Sequence, residues 1–364
     1  MIKRILYTLL IMFPVLASAQ INTDRVMAIG RNALYFEDYV LSIQYFNQVI
    51  NAKPYLSDPY FYRGLAKINL DDFQGAESDC SEAIERNPFV VSAYQVRGLA
   101  RIQQNNFAGA IEDYTKALEF DPENIGVWHN MALCRIRQED YKGAKNDLDK
   151  LIAISPRYTK AYLMRGEVDL KQKDTLAAEK DFGKAIEIDR YDADTWASRA
   201  ILRLQQQRYK DAEADFDHAI RLSTRNSGVY INRALARYHQ NNLRGAMSDY
   251  DIALDIDPNN FIGHYNRGLL RAQVGDDNRA IQDFNFVIEM EPDNMMAIFN
   301  RGLLLDQTGD YKGAIKDYST VINEYPNFLL GYQYRAQARR KIGDVKGADA
   351  DEFKWLKAQL DKQN

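Results

Sequence analysis

The sequence predicts an all-α fold built from ten consecutive helical hairpins. A 34-residue pattern recurs without insertion over residues 23–362. Within each copy, apolar residues follow the spacing of a helix in two blocks, and a short polar run separates the blocks. A proline ends most copies, where it has no N–H to donate and disfavours a helical conformation in its neighbour. A chain of 364 residues with an unbroken period is predicted to be one α-solenoid.

Residues 227–260 show the pattern clearly, with the sequence SGVYINRALARYHQNNLRGAMSDYDIALDIDPNN. The apolar positions are Tyr230, Ala234 and Leu235 before the polar run 240–242, and Ala246, Tyr250 and Ala253 after it. Pro258 closes the second block. This copy therefore predicts two short antiparallel helices.

The repeats are taken in order by counting places 1 to 34 in each copy. They cover residues 23–56, 57–90, 91–124, 125–158, 159–192, 193–226, 227–260, 261–294, 295–328 and 329–362. Repeat 1 is the most divergent and predicts a partly solvated cap. Repeats 5 and 6 have Arg190 and Thr224 in place of the closing proline, so bends are predicted there. Repeat 10 has Glu352 at the place of the large apolar residue, so its packing face is rebuilt. The last residues are polar: Lys357, Gln359, Asp361 and Lys362. Either this polar end suffices by itself, or it docks on a partner or on a continuation of the chain.

Small residues at place 8 indicate where two helices come close together. They are Gly30, Gly64, Gly98, Ala132, Gly166, Ala200, Ala234, Gly268, Gly302 and Ala336. Glycine inside a helix costs about 1 kcal/mol relative to alanine, so its recurrence needs a compensating packing contact. Place 20 carries alanine in nine copies, and place 24 mostly carries a large apolar residue such as Phe284. We therefore expect Gly268→Leu to overpack its hairpin.

This pattern resembles the tetratricopeptide repeat (TPR) family, and the resemblance covers all ten copies. It implies a right-handed superhelix whose concave groove is lined by the first helix of each repeat. It also implies binding of peptides or partner proteins rather than catalysis. Two functions follow as expectations: a protein-binding scaffold of the cell envelope, or a regulatory or accessory subunit of an envelope enzyme or of polysaccharide or secretion machinery.

Residues 1–19 have the layout of a secretory signal peptide. Lys3 and Arg4 precede an apolar run of about a dozen residues, which ends in the small residues Ala17, Ser18 and Ala19. The alternative is an uncleaved anchor, but the run is shorter than the roughly 20 residues that span a bilayer. We therefore expect cleavage after Ala19 and export to the periplasm or cell envelope of a bacterium.

Charge and motif content favour protein binding over other functions. The formal net charge is −4, which argues against nucleic acid as the main partner. The four histidines lie at four different repeat places, and none of the common catalytic, metal-binding or nucleotide-binding motifs is present. No catalytic residue, metal or cofactor is expected. Cys80 in repeat 2 and Cys134 in repeat 4 have a whole repeat between them, which is too far for a disulfide, so two buried free thiols are predicted.

Arginine at place 7 and aspartate at place 23 predict a row of structural ion pairs. The arginines are Arg63, Arg97, Arg165, Arg199, Arg233, Arg267, Arg301 and Arg335. The aspartates of the same repeats are Asp79, Asp113, Asp181, Asp215, Asp249, Asp283, Asp317 and Asp351. The two places lie at similar height in an antiparallel hairpin, but height does not decide whether each arginine meets the aspartate of its own repeat or of the preceding one.

The candidate binding site is the face of the first helices that carries places 2, 6, 9 and 13. Place 6 holds Asn232, Asn266 and Asn300 in three consecutive repeats, with Asn130 isolated earlier. Place 13 is polar, as in Gln205, His239, Gln273 and Gln307. An asparagine amide both donates and accepts, so a row of them suits the backbone of an extended peptide. The alternative is that asparagine is simply a solvated residue of this type of repeat. The lysine of carboxylate-clamp TPR proteins is absent at place 5, where Ile231, Tyr265 and Phe299 stand.

Overall fold

A computed structural model describes residues 22–360, with side chains up to residue 357, and this part of the chain contains twenty α-helices and no strand. The predicted signal peptide at residues 1–19 lies outside the described residues. The helices are α1 (Thr23–Tyr35), α2 (Tyr39–Ala52), α3 (Asp58–Ile68), α4 (Phe73–Arg86), α5 (Val91–Gln103), α6 (Phe107–Phe120), α7 (Ile125–Arg137), α8 (Tyr141–Ile154), α9 (Thr159–Lys171), α10 (Thr175–Ile188), α11 (Ala193–Gln205), α12 (Tyr209–Leu222), α13 (Ser227–His239), α14 (Leu243–Ile256), α15 (Phe261–Gln273), α16 (Asp277–Met290), α17 (Met295–Gln307), α18 (Tyr311–Glu324), α19 (Leu329–Lys341) and α20 (Val345–Leu360).

Successive pairs of these helices form hairpins 1 to 10, from α1 with α2 to α19 with α20, which confirms the all-α repeat fold. The chain divides into two compact units between Asp181 and Phe182, inside α10. Within each unit a helix packs mainly against its neighbours in sequence, as expected of a solenoid. None of the helices in residues 22–360 has the length and apolar character needed to cross a membrane.

Each hairpin turns at one residue with positive φ, at place 15. Glycine occupies this place in Gly275, Gly309 and Gly343, but the other seven copies use larger residues with φ between 58° and 63°. These are Glu37, Asp71, Asn105, Glu139, Lys173, Gln207 and Asn241. A side chain in this left-handed region costs free energy that glycine avoids. The turn is therefore imposed by packing of the two helices in most repeats.

An acidic or amide side chain at place 16 starts most of the second helices. Asp72 accepts a hydrogen bond from the backbone N–H of Gly75 at 2.9 Å, and Asn242 accepts one from Gly245 at 3.0 Å. Each bond satisfies one of the backbone donors that the first turn of a helix leaves unpaired. The polar run that separates the two apolar blocks thus supplies both the turn and the cap.

Place 8 and place 24 of one hairpin pack directly against each other. A Cβ atom added at Gly98 would lie 2.7 Å from the ring of Tyr114, and one at Gly268 would lie 3.1 Å from the ring of Phe284. Such contacts leave little or no room for a side chain, so the predicted close approach of the two helices is confirmed. Cys80 and Cys134 are buried free thiols, as predicted.

An aromatic donor at place 4 holds each of several first helices to the loop before it. Trp128 donates its indole N–H to the carbonyl of Pro122 at 2.8 Å, and Tyr162 donates its hydroxyl to the carbonyl of Pro156 at 3.1 Å. Trp196 donates in the same way to Arg190 at 2.9 Å, where the closing proline is missing. The loop conformation therefore persists without the proline, because a backbone carbonyl is all that the contact requires.

Candidate binding face and the ion pairs beneath it

The predicted asparagine row lies in the second unit, on the first helices of hairpins 7, 8 and 9. Asn232, Asn266 and Asn300 are half-buried on α13, α15 and α17. The polar residues at place 13, His239, Gln273 and Gln307, end the same three helices and are exposed. Gln205 ends α11 and is exposed as well. Asn130 is half-buried on α7 in the first unit and is not part of this row.

The asparagines differ in what they contact. Asn300 donates its Nδ2 to the hydroxyl of Tyr265, one repeat earlier, at 3.2 Å. Asn130 lies beside Tyr114, whose pKa is raised by burial and lowered in part by the asparagine side chain. Within the described residues, the side chains of Asn232 and Asn266 form no hydrogen bond with the protein. Asn300 thus has a structural contact, whereas the amides of Asn232 and Asn266 are available to a ligand.

Exposed apolar residues at places 2 and 9 share the face of the asparagine row. At place 2, Ile262 is 50% exposed, Met296 is 55% exposed and Leu330 is 48% exposed. At place 9, Leu269 is 40% exposed. An unbroken row of exposed apolar side chains at one repeat place is typical of a binding surface. The signal in the sequence is an apolar residue at place 2 in three consecutive repeats, because place 2 shares a face with the polar place 13.

Beneath this face, each arginine of place 7 pairs with the aspartate of its own repeat. The Nε and Nη2 atoms of Arg233 donate to Asp249 at 2.9 and 2.6 Å. The remaining nitrogen, Nη1, donates to Asp217 of the preceding repeat at 2.7 Å. All eight arginines form the pair within the repeat: Arg63–Asp79, Arg97–Asp113, Arg165–Asp181, Arg199–Asp215, Arg233–Asp249, Arg267–Asp283, Arg301–Asp317 and Arg335–Asp351. The arginine therefore joins the two helices of a hairpin and, in most repeats, two hairpins.

A second cation, at place 11, shares the same buried carboxylate and was missed in the sequence. Arg237 donates to Asp249 at 2.8 Å and to Glu213 of the preceding repeat at 2.7 Å. The equivalent contacts to the place-23 aspartate are made by Lys67, Arg101, Arg135, Arg203, Arg271 and Arg339. The eight aspartates paired with place-7 arginines are almost fully buried, so this network is structural rather than a ligand site.

Hairpin 4 departs from this arrangement because Met131 replaces the arginine of place 7. Asp147 is buried and has a single cation partner, Arg135, and its Oδ2 atom has no hydrogen-bond partner. Burial raises the pKa of Asp147 to about 6, although Arg135 lowers it in part. This carboxyl group is therefore protonated more readily than an aspartate in water, and burial also raises the pKa of Asp113, although two arginines pair with that carboxylate.

Other reactive side chains are occupied by structural contacts. His218 stacks on Trp196, His239 stacks on Tyr209 and His264 stacks on Phe286, with ring centroids 4.3, 4.6 and 4.1 Å apart. Burial raises the pKa of Cys80 to about 12 and that of Cys134 to about 11, which keeps both as thiols at neutral pH. Among the described side chains, no group of three or more His, Cys, Asp or Glu residues has the arrangement of a metal site.

The fold and the repeated packing contacts define an α-solenoid of helical hairpins with a partly polar exposed face. Models of the tetratricopeptide repeat match residues 125–158, 159–192, 198–261 and 265–327, and a TPR repeat model matches residues 98–134. The chain belongs to the tetratricopeptide repeat family. Repeats of this family mediate protein–protein interactions and are typically non-catalytic. No curated protein matches the chain.

Solved structures of bacterial repeat proteins share the fold. A tetratricopeptide repeat protein from Parabacteroides merdae is 21% identical, with 68% of this chain and 98% of that chain covered and a TM-score of 0.53. The C-terminal part of a TPR repeat-containing protein from Cytophaga hutchinsonii is 17% identical, with 65% and 97% covered and a TM-score of 0.54. At these identities the likeness concerns the fold alone.

Proposed function

We propose that this chain is a non-catalytic scaffold of a bacterial cell envelope that binds a partner protein through an extended segment. The binding face is formed by the first helices of hairpins 7, 8 and 9. The observation that carries the proposal is the half-buried row Asn232, Asn266 and Asn300. On the same face, the polar residues of place 13 and apolar residues of places 2 and 9 are exposed. No nucleic acid partner and no cofactor are part of the proposal.

The chemistry of the row suits the backbone of a peptide. An extended segment has a C=O at every residue and an N–H at every residue except proline. Each asparagine amide can donate a hydrogen bond to one such C=O and accept one from one such N–H. Such contacts depend little on the side chains of the segment, so affinity comes from the main chain. The half-buried position of the amides favours these bonds, because water competes less well there than on an open surface.

The envelope location rests on residues 1–19, which have the composition of a cleaved leader. Cell fractionation and N-terminal sequencing of the purified protein test it. We expect a mature N-terminus at Gln20 and recovery in the envelope fraction. A cytoplasmic protein that retains Met1 would refute the location while leaving the binding face open to test.

The binding face is tested by a triple substitution of Asn232, Asn266 and Asn300 with alanine. We expect unchanged helical content by circular dichroism, because alanine favours a helix more than asparagine does. We expect loss of partner capture from envelope extract, because the amide groups are gone. A matched control replaces Asn259, Asn278 and Asn323, three exposed asparagines of the same hairpins. Equal capture by both folded variants would contradict the proposal. Mass spectrometry of the captured proteins also distinguishes a scaffold from an enzyme subunit.

A further inference from the structure

Hairpin 9 contains an apolar pocket between the start of α17 and the end of α18. Its volume is about 410 Å³, which lies within the roughly 300–1,000 Å³ typical of ligand pockets. The apolar walls are Met295, Met296, Phe299, Val321, Tyr325 and Phe328. Phe299 and Val321 are buried and form the floor, whereas Met296 and Tyr325 are each 55% exposed. The pocket is thus open to a side chain that enters from outside.

The pocket opens beside the asparagine row. Met296 precedes Asn300 by four residues on α17, so the two side chains lie on one face of the helix, roughly 6 Å apart along its axis. Ile262 and Leu330 occupy the place of Met296 in hairpins 8 and 10 and are also exposed. A segment bound along the asparagine row therefore passes the mouth of the pocket.

The ends of the second helices of hairpins 7, 8 and 9, with the loops that follow them, are acidic and contain no lysine or arginine. Three successive stretches, residues 250–266, 284–300 and 318–334, contain no lysine or arginine. They contain Asp255, Asp257, Glu289, Glu291, Asp293 and Glu324 near the ends of the second helices and in the loops that follow. Asp293 lines the pocket itself. Within the described residues none of these six side chains forms an ion pair, so the edge is a negative surface with no internal compensation.

We propose that the pocket receives one bulky apolar side chain of an extended partner segment, and that lysine or arginine residues flank this side chain. The inference rests on the proposed function and adds to it the selectivity that main-chain contacts lack. An apolar anchor that fills a pocket contributes much of the affinity of an interface. Charges of opposite sign around it select the partner and accelerate its approach.

Synthetic dye-labelled peptides of nine residues test the chemistry directly by fluorescence anisotropy. The first peptide has a central leucine with two lysines on each side, the second has serine in place of the leucine, and the third has glutamates in place of the lysines. We expect the first to bind at least about tenfold more tightly than either of the others. Its affinity should fall with rising salt. Equal binding of the first and third peptides, or no binding of the first, overturns the inference.

Paired variants assign the effect to the pocket. Met296→Ser is expected to lower affinity for the leucine peptide about tenfold, and Met290→Ser, at an equally exposed methionine outside the pocket, leaves it unchanged. Asp293→Asn lowers it by up to about fivefold, whereas Glu123→Gln, at the same repeat place in repeat 3, does not. If Met296→Ser binds like Met290→Ser, the inference fails.

The asparagine variant separates this inference from the proposed function. Replacement of Asn232, Asn266 and Asn300 with alanine should weaken binding of all three peptides, because they share a main chain. If that variant loses partner capture while Met296→Ser and Asp293→Asn bind the leucine peptide normally, the asparagine face stands and the pocket inference is wrong.

Discussion

Replacing Asp249 with alanine removes the acceptor shared by two arginines in hairpin 7. The carboxylate is 1% exposed and accepts two hydrogen bonds from Arg233 and one from Arg237. The arginine side chains are 12% and 19% exposed, so neither is fully surrounded by water once the carboxylate is gone. The substitution therefore leaves two poorly solvated positive charges close together.

The structure sets the size of the effect. Removing one partner of a buried ion pair costs about 3–5 kcal/mol, because the other charge remains buried. Here Arg233 keeps its contact with Asp217 and Arg237 keeps its contact with Glu213. These second partners offset part of the loss, so we expect Asp249→Ala to lower the free energy of unfolding by about 2–4 kcal/mol.

Chemical denaturation followed by circular dichroism measures this loss, and Asp251→Ala is the matched control. Asp251 lies two residues further along α14 and pairs with Arg267 at 2.9 Å, but its side chain is 49% exposed. An exposed pair contributes about 0–1 kcal/mol. If Asp249→Ala and Asp251→Ala destabilise the protein equally, or if Asp249→Ala leaves the unfolding midpoint unchanged, the buried ion pairs are not structural.

Three further predictions concern packing, pH and thiols. Gly268→Leu should lower the free energy of unfolding by about 1–3 kcal/mol in the same denaturation assay, because a Cβ there already lies 3.1 Å from the ring of Phe284; a neutral effect would refute the close approach. The pKa of Asp147 is raised to about 6, so its contribution to stability is present below about pH 4 and is lost as pH rises through about 6. The free energy of unfolding of Asp147→Asn, relative to that of the natural protein, should therefore rise by roughly 2–3 kcal/mol between pH 4 and 7.5. Parallel stability profiles of the two proteins would contradict this. Cys80 and Cys134 should resist alkylation in the native protein and react only after unfolding, and rapid native labelling or an intact mass two hydrogens lower would refute buried free thiols.

The repeat fold was readable from the sequence because its constraints recur at fixed places. A small residue such as Gly98 at place 8 indicates a close contact, and the structure supplies Tyr114 of the same hairpin as the neighbour. The Arg–Asp pairs were predicted for the same reason. The choice of aspartate for each arginine was not predicted, because a repeat place defines the height of a side chain along a helix but not the neighbour toward which it points. Arg237 was missed on that account.

The pocket of hairpin 9 was beyond the sequence pattern. Its walls come from two helices and the loops beside them, and apolar residues such as Tyr325 and Phe328 look like ordinary core positions when read along the chain. Only the exposed fraction of each side chain distinguishes a pocket rim from a core. The positive φ of residues such as Lys173 and Gln207 was likewise hidden, because nothing in those residue types indicates a left-handed turn.

Site-specific photo-crosslinking tests the central claim most directly, since it reports where the partner touches the protein. A photoreactive amino acid replaces Gln273, at the end of α15 on the proposed face, or Gln282, an exposed glutamine on α16 of the same hairpin. We expect crosslinks to the partner from position 273 and few from position 282. They should disappear when Asn232, Asn266 and Asn300 are replaced with alanine. Crosslinking from position 282 but not from 273 would contradict the account and place the partner on the second helices.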